Sequence, residues 1–327
     1  PVSGRFLAFW TAIIKSGFSF VLMPEVITST AAEAKYPRRN LPKACDRFIY
    51  RLAFFYICGS LVIGIVVAYN DVALVGAIAA GVSNAKASPF VIGIQNAGIK
   101  VLPHIINACI LTSAYLAGTS LVYGSARGLH SMALHGDAPK FFAKTNKWGV
   151  PIYSVGASSL FCLLAYLNCA NSSAIAFSWL SNIATISGFI SWILVGVTYL
   201  KYRRILEFHN LDDRVPYRPP LQKYGAYFSV FFFSLLSLTN GYAVFFPKNW
   251  DVSDFFASYV TLLIIVVLFV IAVIWKKDWK IFVNPKDVYM LDDLDIADKE
   301  EIIDKEEYDS HVEANNSIWH KIWRWVA

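Results

Sequence analysis

Apolar residues come in long blocks along this chain, separated by short polar stretches that carry most of its lysines and arginines. Seven blocks are long enough for a helix to cross a roughly 30 Å hydrocarbon core at about 1.5 Å per residue. They run roughly over residues 6–34, 48–69, 101–126, 151–169, 174–200, 225–246 and 255–275. The pattern predicts an all-α integral membrane protein. Residues 88–98 are also apolar, but the block is short, and Lys100, Pro103 and His104 follow it. It predicts an interfacial or re-entrant helix rather than a span.

The first block is interrupted at its centre by Phe18-Ser19-Phe20-Val21-Leu22-Met23-Pro24-Glu25. Gly17, Ser19 and Pro24 loosen or break the backbone ladder. Unpaired amides in hydrocarbon cost several kcal/mol each, so such a break is tolerated only where protein or a water-filled cavity covers it. A carboxylate at that depth marks a functional site by default. A helix broken at mid-membrane leaves carbonyls free on one half and N–H groups free on the other. These complement an ammonium and a carboxylate, the two ends of an amino acid zwitterion. The competing reading is a proline kink repaired by neighbouring helices. Glu25 is either a gate or proton-responsive group, or a structural hydrogen-bond partner. Lys15 either snorkels outward or faces the vestibule. Glu33 is placed to pair with the basic loop that follows.

Two other spans carry stripes of small polar residues. In the third these are Asn107, Thr112, Ser113, Tyr115, Gly118, Thr119 and Ser120. In the fifth they are Ser178, Ser181, Asn182, Thr185, Ser187 and Gly188. Small residues usually mark close helix packing; a minority would line the cavity. Ser181 and Asn182 are the candidates to complete a wall of the site.

Composition supports the membrane assignment: 56% of the 327 residues are apolar and 16% charged, against roughly 25% charged in soluble domains. The net charge of +6 is a footprint of topology and calls for no nucleic-acid partner. Lys35, Arg38, Arg39, Lys43, Arg47 and Arg51 crowd the first connection, and Lys86 stands alone in the second. Arg127, Lys140, Lys144 and Lys147 fill the third, and the fourth has none. Lys201, Arg203, Arg204, Arg214, Arg218 and Lys223 fill the fifth, and Lys248 is alone in the sixth. Positive residues favour the cytoplasmic side, which puts the N-terminal end outside and the C-terminal tail inside. Asn171-Ser172-Ser173 is then an outer glycosylation sequon, close to the membrane. Cys45, Cys58, Cys109, Cys162 and Cys169 form no CxxC pair, so neither a disulfide framework nor a zinc site is expected. The six histidines are dispersed and there is no HExxH. No Gly-rich phosphate loop and no Ser/His/Asp arrangement appears. No catalytic residue, metal site or cofactor is expected, and the chain is not read as an enzyme. It starts at Pro1, close to a membrane segment, and is expected to be a fragment lacking an N-terminal part.

Residues 1–283 form the expected membrane domain and 284–327 a cytoplasmic tail. The tail carries Asp292, Asp293, Asp295, Asp298, Glu300, Glu301, Asp304, Glu306, Glu307 and Asp309. Such a segment cannot bury enough apolar surface to fold alone. After it, Ile318, Trp319, Ile322, Trp323 and Val326 fall at helical spacing opposite His320, Lys321 and Arg324. This predicts a short basic amphipathic helix, lying on the inner leaflet or packing on the protein's own loops.

Several stretches resemble the fungal amino acid permeases of the amino acid–polyamine–organocation superfamily, the yeast amino acid transporter family. Phe18-Ser19-Phe20 with Pro24-Glu25 resembles the unwound part of that family's sixth helix. Ala31-Ala32-Glu33-Ala34 with Pro37-Arg38-Arg39-Asn40-Leu41-Pro42-Lys43-Ala44 resembles its signature loop. Ser125-Ala126-Arg127-Gly128-Leu129 through Gly136-Asp137-Ala138-Pro139 resembles the loop closing the eighth helix. Asn146-Lys147-Trp148-Gly149-Val150-Pro151 resembles the entry to the ninth. Residues 88–107, Trp179-Leu180-Ser181-Asn182-Ile183-Ala184-Thr185-Ile186-Ser187-Gly188-Phe189 and Thr239-Asn240-Gly241-Tyr242 are similar to the proline-specific branch.

The resemblance implies a LeuT-like fold with two inverted five-helix repeats and two extra helices. The seven spans would be the family's sixth to twelfth, the second repeat plus the extra pair. The first repeat, with half of the substrate site, would be absent, so the chain alone is not expected to transport. The implied activity is proton-coupled secondary uptake of proline or small neutral amino acids across the plasma membrane. Backbone groups of Phe18, Ser19, Phe20, Val21, Leu22 and Met23 would bind the zwitterion. Phe20 would stack as a gate, and Glu25 would stabilise or gate the unwound region. Related permeases usually carry a small residue where Met23 stands, which puts proline itself in question. Lys299 and Lys305 resemble sites where ubiquitin-ligase machinery marks such permeases for removal; the alternative is a tail that nothing reads. Two other functions stay open: a transporter-like amino acid receptor, and a truncated, non-functional product.

Overall fold

The computed structural model describes residues 2–19, 34–79, 88–169, 173–215, 221–246, 250–277, 283–288 and 290–314. The described residues are helical and contain no strand. In chain order the helices are α1 (Val2–Ser16), α2 (Pro37–Val66), α3 (Val72–Ala79), α4 (Pro89–Asn96), α5 (Leu102–Leu134), α6 (Ile152–Cys162), α7 (Ser173–His209), α8 (Gln222–Thr239), α9 (Val252–Lys276) and α10 (Leu291–Ala314). Helices α2, α5, α7 and α9 are long and apolar enough to cross a membrane. Phe54, Phe55, Leu111 and Val266 stand exposed on them, as side chains that meet lipid do.

Three blocks are not single helices. The first, read as broken, is α1 followed by a 3-10 turn over Gly17–Ser19. The fourth tightens from α6 into a 3-10 segment over Leu163–Cys169. The sixth ends its α-helix at Thr239 and resumes as a 3-10 turn over Tyr242–Phe245; between them lies Asn240-Gly241, a pair of poor helix formers. The short apolar block becomes the eight-residue α4, too short to span. The acidic stretch is helical as α10.

Two compact units make up the chain: Pro1–Asp46 with Ile183–Ala327, and Arg47–Asn182. In the first, the stripe Trp10, Ile13, Ile14 and Gly17 follows helical spacing and faces α7 and α8. Ile14, Phe189 and Leu236 are buried there, and Trp10, Ile13, Phe232, Phe233 and Tyr242 pack around them. Phe233 lies between Phe189, 5.6 Å away, and Trp192, stacked at 5.7 Å. Between membrane helices the lipid is as apolar as the core, so ring packing and interhelical hydrogen bonds, rather than removal from water, hold this set together.

The second unit is stitched by its loops. Helix α5 stops at Gly136, whose φ of 82° is open to glycine at no steric cost. Asp137 N donates to Met132 O at 2.8 Å and Gly136 N to Ala133 O at 3.3 Å, the paired bonds of a Schellman stop. The Phe142 carbonyl then meets His130 Nδ1 of α5 at 3.0 Å and accepts from Ser154 Oγ of α6 at 3.1 Å. Asn146 Oδ1 accepts from Trp148 N and Val150 N at 3.0 and 2.9 Å. Two of the loops that carry the family resemblance are therefore structural devices that turn the chain between α5 and α6. Asp71 does similar work at α3: Oδ1 accepts from Ala73 N and Leu74 N, and Oδ2 accepts from Asn96 Nδ2 of α4 at 2.8 Å.

Candidate functional site

The candidate site is the place where α1 gives way. Ser16 Oγ donates to the Ile13 carbonyl at 2.8 Å, a local bond that competes with the helical ladder. Gly17 follows, about 1 kcal/mol less favourable than alanine in a helix. The backbone tightens into the Gly17–Ser19 3-10 turn at that point.

Gly17 is set by its neighbours as well as its propensity. A Cβ built there would meet Phe189 Cε1 at 2.7 Å and Thr185 Cγ2 at 3.5 Å. Both partners sit on one face of α7, where Thr185, Ile186 and Phe189 are 4%, 0% and 1% exposed. The α7 surface is a rigid platform, and the end of α1 lies on it at backbone distance. Only a residue without a side chain fits.

The middle of α1 is anchored to the end of α8. Trp10 Nε1 donates to Thr239 Oγ1 at 3.1 Å. Thr11 Oγ1 lies 2.7 Å from the Leu7 carbonyl and 2.5 Å from the Tyr242 hydroxyl, which is itself 3.1 Å from the same carbonyl. Two hydroxyl protons serve three contacts. The two shorter ones take them if Tyr242 donates to Thr11 and Thr11 donates to Leu7 O. Helix α1 is thus fixed along its length up to the turn where it changes form.

Phe18 and Ser19 lie in the 3-10 turn, with Phe18 41% exposed. Phe20, Val21, Leu22, Met23, Pro24, Glu25 and Glu33 lie outside the described residues, as do Asn171, Ser172 and the chain from residue 315. Ser181 and Asn182 are half-buried on α7, in the second unit. In the other small-polar stripe, Thr112, Thr119 and Ser120 donate to carbonyls of their own helix α5, while Asn107 Oδ1 is buried without a hydrogen-bond partner among the described residues.

The residues that support the break were present in the sequence without being recognised as its supports. Thr185 belongs to a stripe singled out for small size, and Thr239 and Tyr242 to a motif singled out for resemblance. Nothing in the sequence pairs them with α1, from which Thr239 is 229 residues distant. Among the described residues, no group of three or more His, Cys, Asp or Glu side chains is placed to hold a metal ion.

A family model described as amino acid permease matches residues 1–285. A proline-specific permease of Emericella nidulans is 46% identical over 325 residues, 99% of this chain and 58% of that protein. A probable proline-specific permease of Schizosaccharomyces pombe matches at 46% over the same shares. A proline-specific permease of Saccharomyces cerevisiae is 48% identical over 277 residues, 85% of this chain and 44% of its own length. The chain spans about half the length of the curated relatives it matches. No solved structure matches it.

Proposed function

Because this chain belongs to the amino acid permease family, we propose that it is the second half of a carrier that moves proline, or a small neutral relative, into a fungal cell with protons. One observation carries the reading: α1 gives way to a 3-10 turn at Gly17 against a buried face of α7, and interrupted helices are where carriers of this kind hold charged substrate groups. Phe18 and Ser19 open the binding stretch, and Phe20, Val21, Leu22 and Met23 continue it. Phe20 gates it, Glu25 stabilises or gates the unwound region, and Ser181 and Asn182 complete a wall. The arrangement is LeuT-like: this chain supplies the second repeat and two extra helices, and an N-terminal repeat supplies the other half of the site. The protein sits in the plasma membrane with its tail in the cytoplasm. Lys299 and Lys305 are exposed on α10, as acceptors for ubiquitin must be.

The full-length protein carrying this chain, expressed in cells without their own proline uptake, tests the reading. Saturable uptake of labelled proline is expected, strongest at acidic external pH and abolished by a protonophore. Proline should be the best competitor among the twenty amino acids. No saturable uptake of any amino acid would falsify the reading. Met23→Gly is expected to change the order of the competitors, and an unchanged order removes Met23 from the site.

A further inference from the structure

A helix as acidic as α10 has little apolar surface to bury, and charge holds it. Two arginines converge on one stretch of it. Arg38, in the first turn of α2, donates from Nη1 to Asp298 Oδ1 at 2.7 Å and to Glu301 Oε2 at 2.6 Å. Arg214, in a 3-10 turn after α7, donates to Asp295 Oδ1 at 2.7 Å from Nη2 and to Asp298 Oδ2 at 3.0 Å from Nε. Asp298 is shared by both guanidiniums. Further along, the Arg39 guanidinium lies 3.5 Å over the Tyr308 ring, and Tyr36 meets that ring edge-on at 5.5 Å. Leu294 is the buried apolar contact. Leu294, Asp298, Glu301 and Tyr308 share one helical face. Beneath it lies a cavity of about 310 Å³ lined by Pro37, Arg38, Leu41, Pro42, Tyr202 and Leu294, among others.

The position of this contact gives it meaning. Residues 36–42 begin α2 and come after the proposed substrate stretch 18–25 in the chain, so whatever pins them restrains the point where that stretch is tethered to the rest of the carrier. Alternating access requires one bundle to rock against another around that site. A strap joining the first turn of α2 to the end of α7 resists such motion. We propose that α10 is an ionic clasp that restrains the inner side of the carrier and slows its turnover until the clasp is released. This rests on the transport reading given above. Exposed ion pairs are individually weak, so the clasp acts as a brake and not as a lock. Hydrogen bonds from Arg214 and Arg38 hold the Asp298 carboxyl below the usual carboxylate range. That shared carboxylate therefore stays charged throughout neutral pH.

The test uses the full-length protein with Asp295→Asn, Asp298→Asn and Glu301→Gln combined. These tail residues are not among those proposed to bind the substrate. Cys45 is half-buried, one turn beyond Leu41 on the same side of α2. With every other cysteine of the full-length protein replaced by serine, including Cys58, Cys109, Cys162 and Cys169, its maleimide alkylation rate reports release without any need for transport. The triple variant is expected to be alkylated about threefold faster and to show about threefold higher maximal uptake at unchanged KM, the size that a few weak surface pairs allow. An unchanged alkylation rate in the triple variant overturns the clasp. Faster alkylation with unchanged or lower maximal uptake overturns its role as a brake. If the unmodified protein takes up no amino acid, the carrier reading falls, while alkylation still decides whether the clasp exists.

Discussion

Gly17→Ala tests the site most directly. The new methyl would sit 2.7 Å from Phe189 Cε1, about 1 Å inside the ordinary carbon–carbon contact of roughly 3.5–4.0 Å. Phe189 is 1% exposed and backed by Phe233 and Trp192, so the ring has nowhere to retreat. Overpacking of this kind costs about 1–3 kcal/mol. Alanine also favours a continuous α-helix by about 0.8–1.0 kcal/mol over glycine. That gain is available only if the 3-10 turn rewinds, which closes the break. Steric overlap therefore outweighs helix propensity, and both work against the site. The assay is thermal unfolding of the purified full-length protein in detergent with and without proline, alongside initial uptake rates. Gly17→Ala should lower the midpoint and abolish stabilisation by proline. Phe189→Leu removes the ring edge, so the double variant should be more stable than the two single effects added together predict, by about 1 kcal/mol or more. Zero coupling in that cycle, or a Gly17→Ala protein that binds proline as before, refutes the close-approach argument.

Two further outcomes follow from the same unit. Tyr242→Phe removes one proton from the Leu7–Thr11–Tyr242 cluster but leaves Thr11 able to donate to Leu7 O. The cost should be low, about 0.5–1.5 kcal/mol, measured by the same thermal assay; a loss well above that range would mean Tyr242 also supports another contact. The docking of α10 should be insensitive to pH near neutrality. The Asp298 carboxyl is depressed in the folded protein, so its contribution is fully present above the unfolded value of about 3.9 and is lost as pH falls through the lower folded value. Cross-linking between cysteines introduced at Tyr36 and Tyr308, followed against pH, measures this; a loss of cross-linking between pH 6 and 8 contradicts the assignment.

Side-chain hydropathy made the spanning helices and the interruption in the first block legible in the sequence. It could not show where an α-helix tightens into 3-10 form, because Leu163–Cys169 and Tyr242–Phe245 remain apolar while their backbone ladder changes. The acidic tail is the clearest gap. Composition rightly says that it lacks the apolar surface to fold alone, but its helix rests on Arg38, 260 residues away from Asp298, and on Arg214, 84 away. Pairings over such separations leave no local trace. The candidate site was visible as Gly17, Phe18 and Ser19; the α7 face that makes Gly17 necessary was visible only as a stripe of small residues with no stated partner.

Helix α7 runs from Ser173 to His209, 37 residues, or about 55 Å at 1.5 Å per residue. The hydrocarbon core is only about 30 Å thick, so a helix of this length extends beyond it. Its projecting end carries the Arg203–Asp212 pair and meets Pro285 O through His209. The part of α7 within the first unit, residues 183–209, acts as a lever about the Thr185–Phe189 platform beneath Gly17. A tilt of about 5° about that platform moves the far end by about 3 Å. Small adjustments at the Gly17–Ser19 turn would then appear magnified at His209, where a spectroscopic label could read them.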